Sequence, residues 1–398
     1  MPHILYLSTL CSEKMNDYLF TTAVKKPIQS AQKFHRLIVK GMVSNGKKNV
    51  NVISAIPVIP SRHKRLFWFV KDEKVNGVNY SYLPFLNVRL IKNITVFISC
   101  FFKVFFWCLK RLGKKRVLIT DVLNLTTTAA AVLACKITFT KNIGIVTDMP
   151  NLLVSAKDDN KKDLKNQFNF FLINQLKGLV LLTEQMNEVI NHKKRPFIIM
   201  EGLVDSDMNQ STNKLSSKNP KQIILYAGGL YEKYGIKKLI DGFRMLTNQQ
   251  VQLHLYGVGP MVEEIEAFAR KDSRIIYKGM VANEVVVDAQ LKATLLVNPR
   301  SSKEEFTKYS FPSKNMEYMA SGTPVLTTPL PGMPKEYYDF VYILDHEDES
   351  GIFIKLEKIL ANTPELLHDF GLRAKEFVLS EKNNNKQAAR ITELAEEL

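Results

Sequence analysis

The feature that most limits what this chain can fold into is an alternation of strand and helix patterns that runs, breaks once, and runs again. "HILYLST" is an apolar run bounded by polar residues; "SAQKFHRLIVKGMVSNG" has helical spacing at Phe34, Leu37, Ile38 and Met42 and stops at Asn45-Gly46. "NVNVISAIPV" and "RVLITDV" read as strands, "TTTAAAVLACKI" as a helix, and "NIGIVTD" and "KGLVLLTEQM" as further strands. Interleaved in this way they imply parallel βαβ units with right-handed crossovers. At 201–221 the chain turns polar and rich in Ser and Asn, which marks a linker. The alternation then restarts with "QIILYAGGL", "YGIKKLIDGFRML", "VQLHLYGVG", "PMVEEIEAFARK", "RIIYKG", "NEVVVDAQLKA" and "TLLVNP". A length of 398 residues exceeds what one core usually organises. The expected class is therefore α/β with two doubly wound, Rossmann-like domains. The expected boundaries are 1–200, a linker at 201–221, a second domain at 222–375, and a C-terminal helix at 376–398 packing back toward the first domain.

Doubly wound domains bind ligands just beyond the carboxyl ends of their strands. The most informative such place is "YSFPSKNMEYMASGTPVL", where a proline-led turn carrying Lys314 opens an apolar helix with one carboxylate, Glu317. Pro312 suits a pre-helical position, since no helical hydrogen bond is lost there. The first N–H groups of the helix lack partners within it and carry the positive end of its dipole. Lys314 and Arg300 add full charges, and an arginine can grip phosphate oxygens in a bidentate manner. Together these residues suit a diphosphate, with Glu317 able to accept hydrogen bonds from a ribose diol. An isolated "KxxE" is otherwise most simply a surface ion pair.

Charge is distributed unevenly. Residues 1–200 hold 31 Lys and Arg against 11 Asp and Glu, while the remainder holds 24 against 28. Such asymmetry points to an anionic partner for the first half, or simply to a lysine-rich solvated surface. No nucleic-acid-binding module accompanies it. Two segments suit an anionic membrane. "SRHKRLFWF" at 61–69 combines Arg62, Lys64, Arg65 and Trp68 after a strand end. "NITVFISCFFKVFFWCLKRLGKKR" at 93–116 is the most hydrophobic stretch, is broken by Lys103, and falls short of a span. Lys92, Ser99, Lys103, Lys110 and Lys114 form one stripe on it, so it reads either as an in-plane membrane helix or as a buried helix with a polar edge. Cys11, Cys100, Cys108 and Cys135 lack ligand spacing and read as buried thiols in a reducing compartment. "MPHILYLSTL" reads as a first strand and not as a signal peptide. "DSD" at 205–207 offers two carboxylates, too few oxygens for a hard cation.

"FPSKNMEYMASGTPVL" resembles the donor-site signature of the GT-B glycosyltransferases of family GT4, the retaining nucleotide-sugar enzymes. "YAGGLYEKYGIKKLI" resembles the start of that family's C-terminal domain and "LYGVGP" its next glycine turn, so that the motifs stand in the family order over roughly 222–340. The resemblance implies the GT-B fold, with the two domains facing an interdomain cleft. It implies transfer of a sugar from a nucleoside diphosphate donor to an oligosaccharide or lipid-linked acceptor, as in bacterial surface polysaccharide (capsule or exopolysaccharide) synthesis. It further implies no metal or other cofactor, and a cytoplasmic enzyme peripheral to the inner face of the plasma membrane. In that scheme Arg300, Lys314 and Asp148 are catalytic, and the donor contacts Gly229, Lys233, Gly257, Ser310, Phe311, Pro312, Ser313 and Glu317. Asp148 also suits a turn or cap before Pro150. The chain departs from the family at several positions. Tyr309 stands where the first glutamate of the signature stands, with Glu304 and Glu305 out of register. Gly229 and Tyr234 replace an Arg and a Lys, and Thr147-Asp148 stand where a histidine is common. An epimerase or phosphorylase on the same fold, or a non-catalytic membrane-tethering subunit, would share the donor motif.

Overall fold

The computed structural model describes residues 2–24, 30–46, 50–89, 91–150, 159–210 and 212–398. They fall into two compact units, Met1–Glu201 with Asn384–Leu398, and Gly202–Asn383. In chain order the first unit contains β1 (His3–Ser8), α1 (Glu13–Thr22), α2 (Ser30–Ser44), β2 (Val50–Ser54), β3 (Phe67–Trp68), β4 (Glu73–Val75), β5 (Val78–Tyr82) and β6 (Phe85–Leu86). It continues with α3 (Ile91–Leu109), β7 (Arg116–Asp121), α4 (Leu125–Ile137), β8 (Lys141–Val146), α5 (Asp159–Ile173), β9 (Gly178–Leu181), α6 (Glu184–Ile190) and β10 (Phe197–Ile199). The sheet order is β10-β9-β8-β7-β1-β2-β5-β4, parallel except for β4, which runs against β5. The central strands are buried on both faces, which explains their unbroken apolar sequences. Right-handed crossovers put α3, α4 and α5 on one face, because their strands step in the same direction across the sheet.

The second unit contains β11 (Gln222–Ala227), α7 (Ile236–Arg244), β12 (Val251–Tyr256), α8 (Val262–Lys271), β13 (Ile275–Gly279), α9 (Asn283–Lys292) and β14 (Leu295–Asn298). After these come α10 (Ser313–Ser321), β15 (Val325–Thr327), β16 (Tyr342–Ile343), α11 (Glu349–Leu360) and α12 (Pro364–Glu381). Its all-parallel sheet has the order β13-β12-β11-β14-β15-β16. Alternate residues of β11 feed two cores: Ile224 and Tyr226 meet α7 and α11, while Ile223, Leu225 and Ala227 meet α10 and α12. The last helix, α13 (Asn384–Glu397), belongs to the first unit and packs along α2. A side chain at Gly41 of α2 would overlap the Asn384 carbonyl at 2.1 Å, so the two helices can approach this closely only at a glycine. The polar stretch expected as a linker at 201–221 belongs, from Gly202 on, to the second unit. There Val204 bridges Asn383, and Lys218 Nζ donates to the carbonyls of Leu291 and Ala293, both at 2.9 Å.

Candidate functional site

In the second unit the loops after β11, β12, β14 and β15 converge on the start of α10. Two polar clamps fix that helix. Asn298 Nδ2 at the end of β14 donates to Asn315 Oδ1 at 2.7 Å, and Asn315 Nδ2 donates to Thr327 Oγ1 of β15 at 3.2 Å. Tyr318, fully buried, accepts the Ala227 N–H at 2.8 Å and so locks α10 to the end of β11. Because Asn298, Asn315, Thr327 and Tyr318 are spent on positioning, Lys314 is held over the β11 turn. Its Nζ donates to the Ala227 carbonyl and stands 5.8 Å from the centre of the Tyr226 ring. Burial lowers its pKa, Glu317 one turn on opposes that, and Arg300 reinforces it.

Arg300, just past β14, is sandwiched between Tyr234 and Phe306, 4.8 and 5.3 Å from the ring centres. Its Nε is buried without a hydrogen-bond partner, and among the described residues no carboxylate pairs with it. Burial lowers its pKa as well. Glu347 steadies the next residues by accepting Ser301 Oγ and the Ser302 N–H, each at 3.0 Å. Two half-buried cations, one with its Nε buried, thus stand close enough to repel each other, with no acid among the described residues to neutralise Arg300. Such an arrangement stabilises a bound anion and costs stability without one.

Glycines give the anion room. Gly228 donates to Tyr256 O at 2.9 Å and lies against Lys314, whose amine a Cβ would meet at 2.3 Å. Gly257 has φ +129°, and a Cβ there would fall 1.8 Å from the Gly228 carbonyl, so the β11 and β12 turns touch backbone to backbone. Gly229 accepts the Tyr226 hydroxyl at 2.9 Å. Lys233 is exposed, its amine over the rings of Tyr231 and Tyr234 at 5.9 and 5.6 Å. Ser313 is exposed at the first turn of α10 and Ser310 Oγ donates to Phe306 O at 3.0 Å. Glu317 is half-buried. Pro312 caps the helix and has no N–H to offer a ligand. Phe311 turns its ring into the core against Tyr337 at 4.7 Å, so only its main chain could meet a donor.

In the first unit Asp148 follows β8. Its surface is exposed, yet the protein around it thins its outer hydration and pushes the carboxyl up to about 6; Asp121 adds to this and Thr147 opposes it. Asp121, buried at the end of β7, accepts the Leu123 N–H at 3.1 Å and contacts His35 Nε2 at 3.3 Å, while His35 Nδ1 bonds the Tyr6 hydroxyl at 2.7 Å. Sequence reasoning passed over this chain, because residues 6, 35 and 121 share no local pattern. It noted Tyr234 only as a departure from the family, and it passed over Phe306, six residues after the strand-end Arg300; neither was paired with that arginine.

The 61–69 segment differs from its reading. Trp68 is 3% exposed, stacks on Phe85 and donates its Nε1 to Arg65 O at 2.9 Å, so it serves the core and cannot contact a membrane or acceptor. The exposed apolar groups are Leu66, Phe67 and Phe69, of which Phe67 lies on the side of the two-residue strand opposite Trp68. Lys64 and Arg65 are exposed and Arg62 is half-buried. "DSD" forms a local turn in which the Asp207 N–H bonds Asp205 Oδ1 at 3.0 Å. Among the described residues no three His, Cys, Asp or Glu gather as a metal-ligand set.

Residues 221–362 match the family model described as Glycosyl transferases group 1. The chain has the GT-B fold, and its second unit carries a glycosyltransferase domain. Its fold is that of a sucrose-phosphate synthase from Thermosynechococcus elongatus, with TM-score 0.66 at 14% identity over 99% of this chain and 98% of that one. The Anabaena protein HepE in complex with UDP aligns with TM-score 0.63 at 11% identity over 100% of both chains. A glycosyltransferase from Rickettsia africae aligns with TM-score 0.66 at 13% identity, covering 99% of this chain and 97% of that one. No curated protein matches the sequence. The matched segment contains Arg300, Lys314 and Glu317.

Proposed function

We propose that this glycosyltransferase is of family GT4 and moves a sugar from a nucleoside diphosphate donor, with retention, to an oligosaccharide or lipid-linked acceptor in bacterial surface-polysaccharide synthesis. The observation that carries the donor assignment is the buried, acid-free cation Arg300 beside Lys314 at the start of α10. Arg300, Lys314 and the first amides of α10 hold the diphosphate and stabilise it as it leaves. Glu317 accepts hydrogen bonds from the ribose. Neutralisation by these cations makes a metal unnecessary. The departing phosphate takes the acceptor proton, and Asp148 contacts a hydroxyl of the sugar or acceptor. The basic first unit supports a location on the cytoplasmic face of the plasma membrane.

A panel of nucleotide sugars, each with and without cell-extract acceptors, tests the reading. Transfer by the parent and its loss in Glu317→Ala, by about 1.5–3 kcal/mol in donor binding and turnover, is expected. Epimerised or phosphorolysed donor without transfer would replace transferase by the sister activities. Tyr309, in place of the first glutamate of the signature, favours a second reading as a non-catalytic subunit. Donor binding without turnover under every condition would support it.

A further inference from the structure

The outer face of α3 is apolar where a water-facing helix would be polar. Toward α4 the helix buries Val96, Cys100, Val104, Trp107 and Cys108. On another side Ile94, Ile98, Phe102 and Phe106 are 60%, 49%, 48% and 52% exposed, at four-residue spacing that sets them in one line. Phe102 and Phe106 stack on each other at 6.1 Å, and Phe101 on Phe105 at 5.6 Å, so the ridge is stiff. Of the cations in the stripe read from sequence, Lys92 and Lys103 are half-buried and bonded to the rest of the unit, while Lys110 and Lys114 stay exposed. Lys103 pairs with Asp72 at 3.3 Å and donates to Ser81 Oγ at 2.6 Å, while Lys92 donates to the Val58 carbonyl. The β3–β6 ribbon, which exposes Phe67, is tied to the start of α3 by a bond from the Leu86 N–H to Thr95 Oγ1 at 3.2 Å.

Charge decides what covers the ridge. Residues 74–120 contain nine Lys and Arg and no Asp or Glu. At the end of α3, Lys110, Lys114 and Lys115 are exposed around Leu112, which is 60% exposed. A second copy seated here by a two-fold axis would bring two acid-free basic segments together. An anionic lipid surface meets both requirements, taking the apolar ridge among its acyl chains and the flanking cations at its headgroups.

We propose that the Ile94–Phe106 ridge of α3 is a lipid-docking face that lies in the plane of an anionic bilayer. The proposal rests on the peripheral location given above and names the surface responsible. Against the expectation from sequence, α3 with its 19 residues is long and apolar enough to cross a membrane, but its opposite side is committed to α4 and its central lysine to Asp72.

The test is sedimentation of the full chain with vesicles of phosphatidylcholine alone or mixed with phosphatidylglycerol. Binding to the mixed vesicles, and a roughly tenfold or greater loss of affinity in Phe102→Ser/Phe106→Ser, are expected. A control pair on the second unit, Ile354→Ser/Leu366→Ser, should bind vesicles as the parent does; both residues are exposed there. Should the ridge variant misfold, a polarity-sensitive dye on Ile98→Cys should shift to the blue with mixed vesicles, and one on Leu366→Cys should not. Parent-like vesicle affinity in the folded ridge variant, an unshifted dye at 98, or a parent dimer that the variant dissolves would each overturn the proposal. Binding of nucleoside diphosphate is followed in parallel. A chain that docks on vesicles through the ridge but never transfers sugar would sink the transferase reading and leave the docking face standing.

Discussion

At residue scale the decisive groups are those whose burial works against the fold. Arg300 is half-buried, with its Nε buried and unpartnered and no acid beside it, so its removal should relieve the apoprotein. Arg300→Met keeps the stem packed between Tyr234 and Phe306. Its melting temperature should match or exceed the parent's, while calorimetry should show nucleoside diphosphate affinity lower by about 1.5–3 kcal/mol and nucleoside affinity little changed. A parallel fall in both affinities would move the diphosphate elsewhere. Asp148 gives a pH signature. Its folded pKa of about 6 lies above the ordinary 3.8, so the folded state binds the proton more tightly than the unfolded chain. Stability from this group is present below about pH 4, falls as pH rises through 6, and is absent above. Asp148→Asn should therefore melt higher than the parent at pH 8 and like it at pH 4. Solvent screening at this exposed carboxyl keeps the gain below about 1 kcal/mol. An unchanged difference across that range would contradict the raised pKa.

At element scale the strands β1, β2, β7–β9 and β11–β14 and the helices α2, α4 and α7–α9 were legible in order, because apolar runs bounded by polar turns and 3.6-residue spacing record them directly. α2 ends at Ser44, before the Asn45-Gly46 stop, and α10 ends at Gly322, whose φ of +75° suits glycine. The β3–β6 ribbon was not legible, since two-residue strands carry no period. Nor was the inward turn of Trp68, which depends on Phe85 across the ribbon. Contact between the β11 and β12 turns is likewise a matter of tertiary packing, and it yields a prediction. Gly257→Ala meets both a forbidding φ and the Gly228 carbonyl, and should cost several kcal/mol in chemical denaturation, on the order of 3. Donor binding should weaken with it because the same turn borders Lys314. A variant as stable as the parent would show that the turns can separate.

At the scale of the whole molecule, α13 closes the first unit although it is the last element of the chain. Ala388, Ile391, Leu394 and Ala395 are buried on it, facing α2 and its neighbours. Ile391→Ala should destabilise that unit by about 2–5 kcal/mol. Both tryptophans, Trp68 and Trp107, lie in the first unit, so their fluorescence reports its unfolding without a signal from the second. A fluorescence midpoint equal to the parent's would mean that α13 is dispensable there.

The sequence by itself determined the α/β class, the two mainly parallel sheets, the strand-end positions of Arg300 and Asp148 and the place of Lys314 and Glu317 on one helix, because periodicity and turn chemistry are local. Only the tertiary structure decided that Arg300 stands between Tyr234 and Phe306 without an acid, that Tyr6, His35 and Asp121 form one chain, and that α3 turns its lysines inward and its phenylalanines outward. Each of these depends on partners far away in sequence. The direction a side chain faces is set by which neighbour it packs against, and helical spacing alone does not specify that.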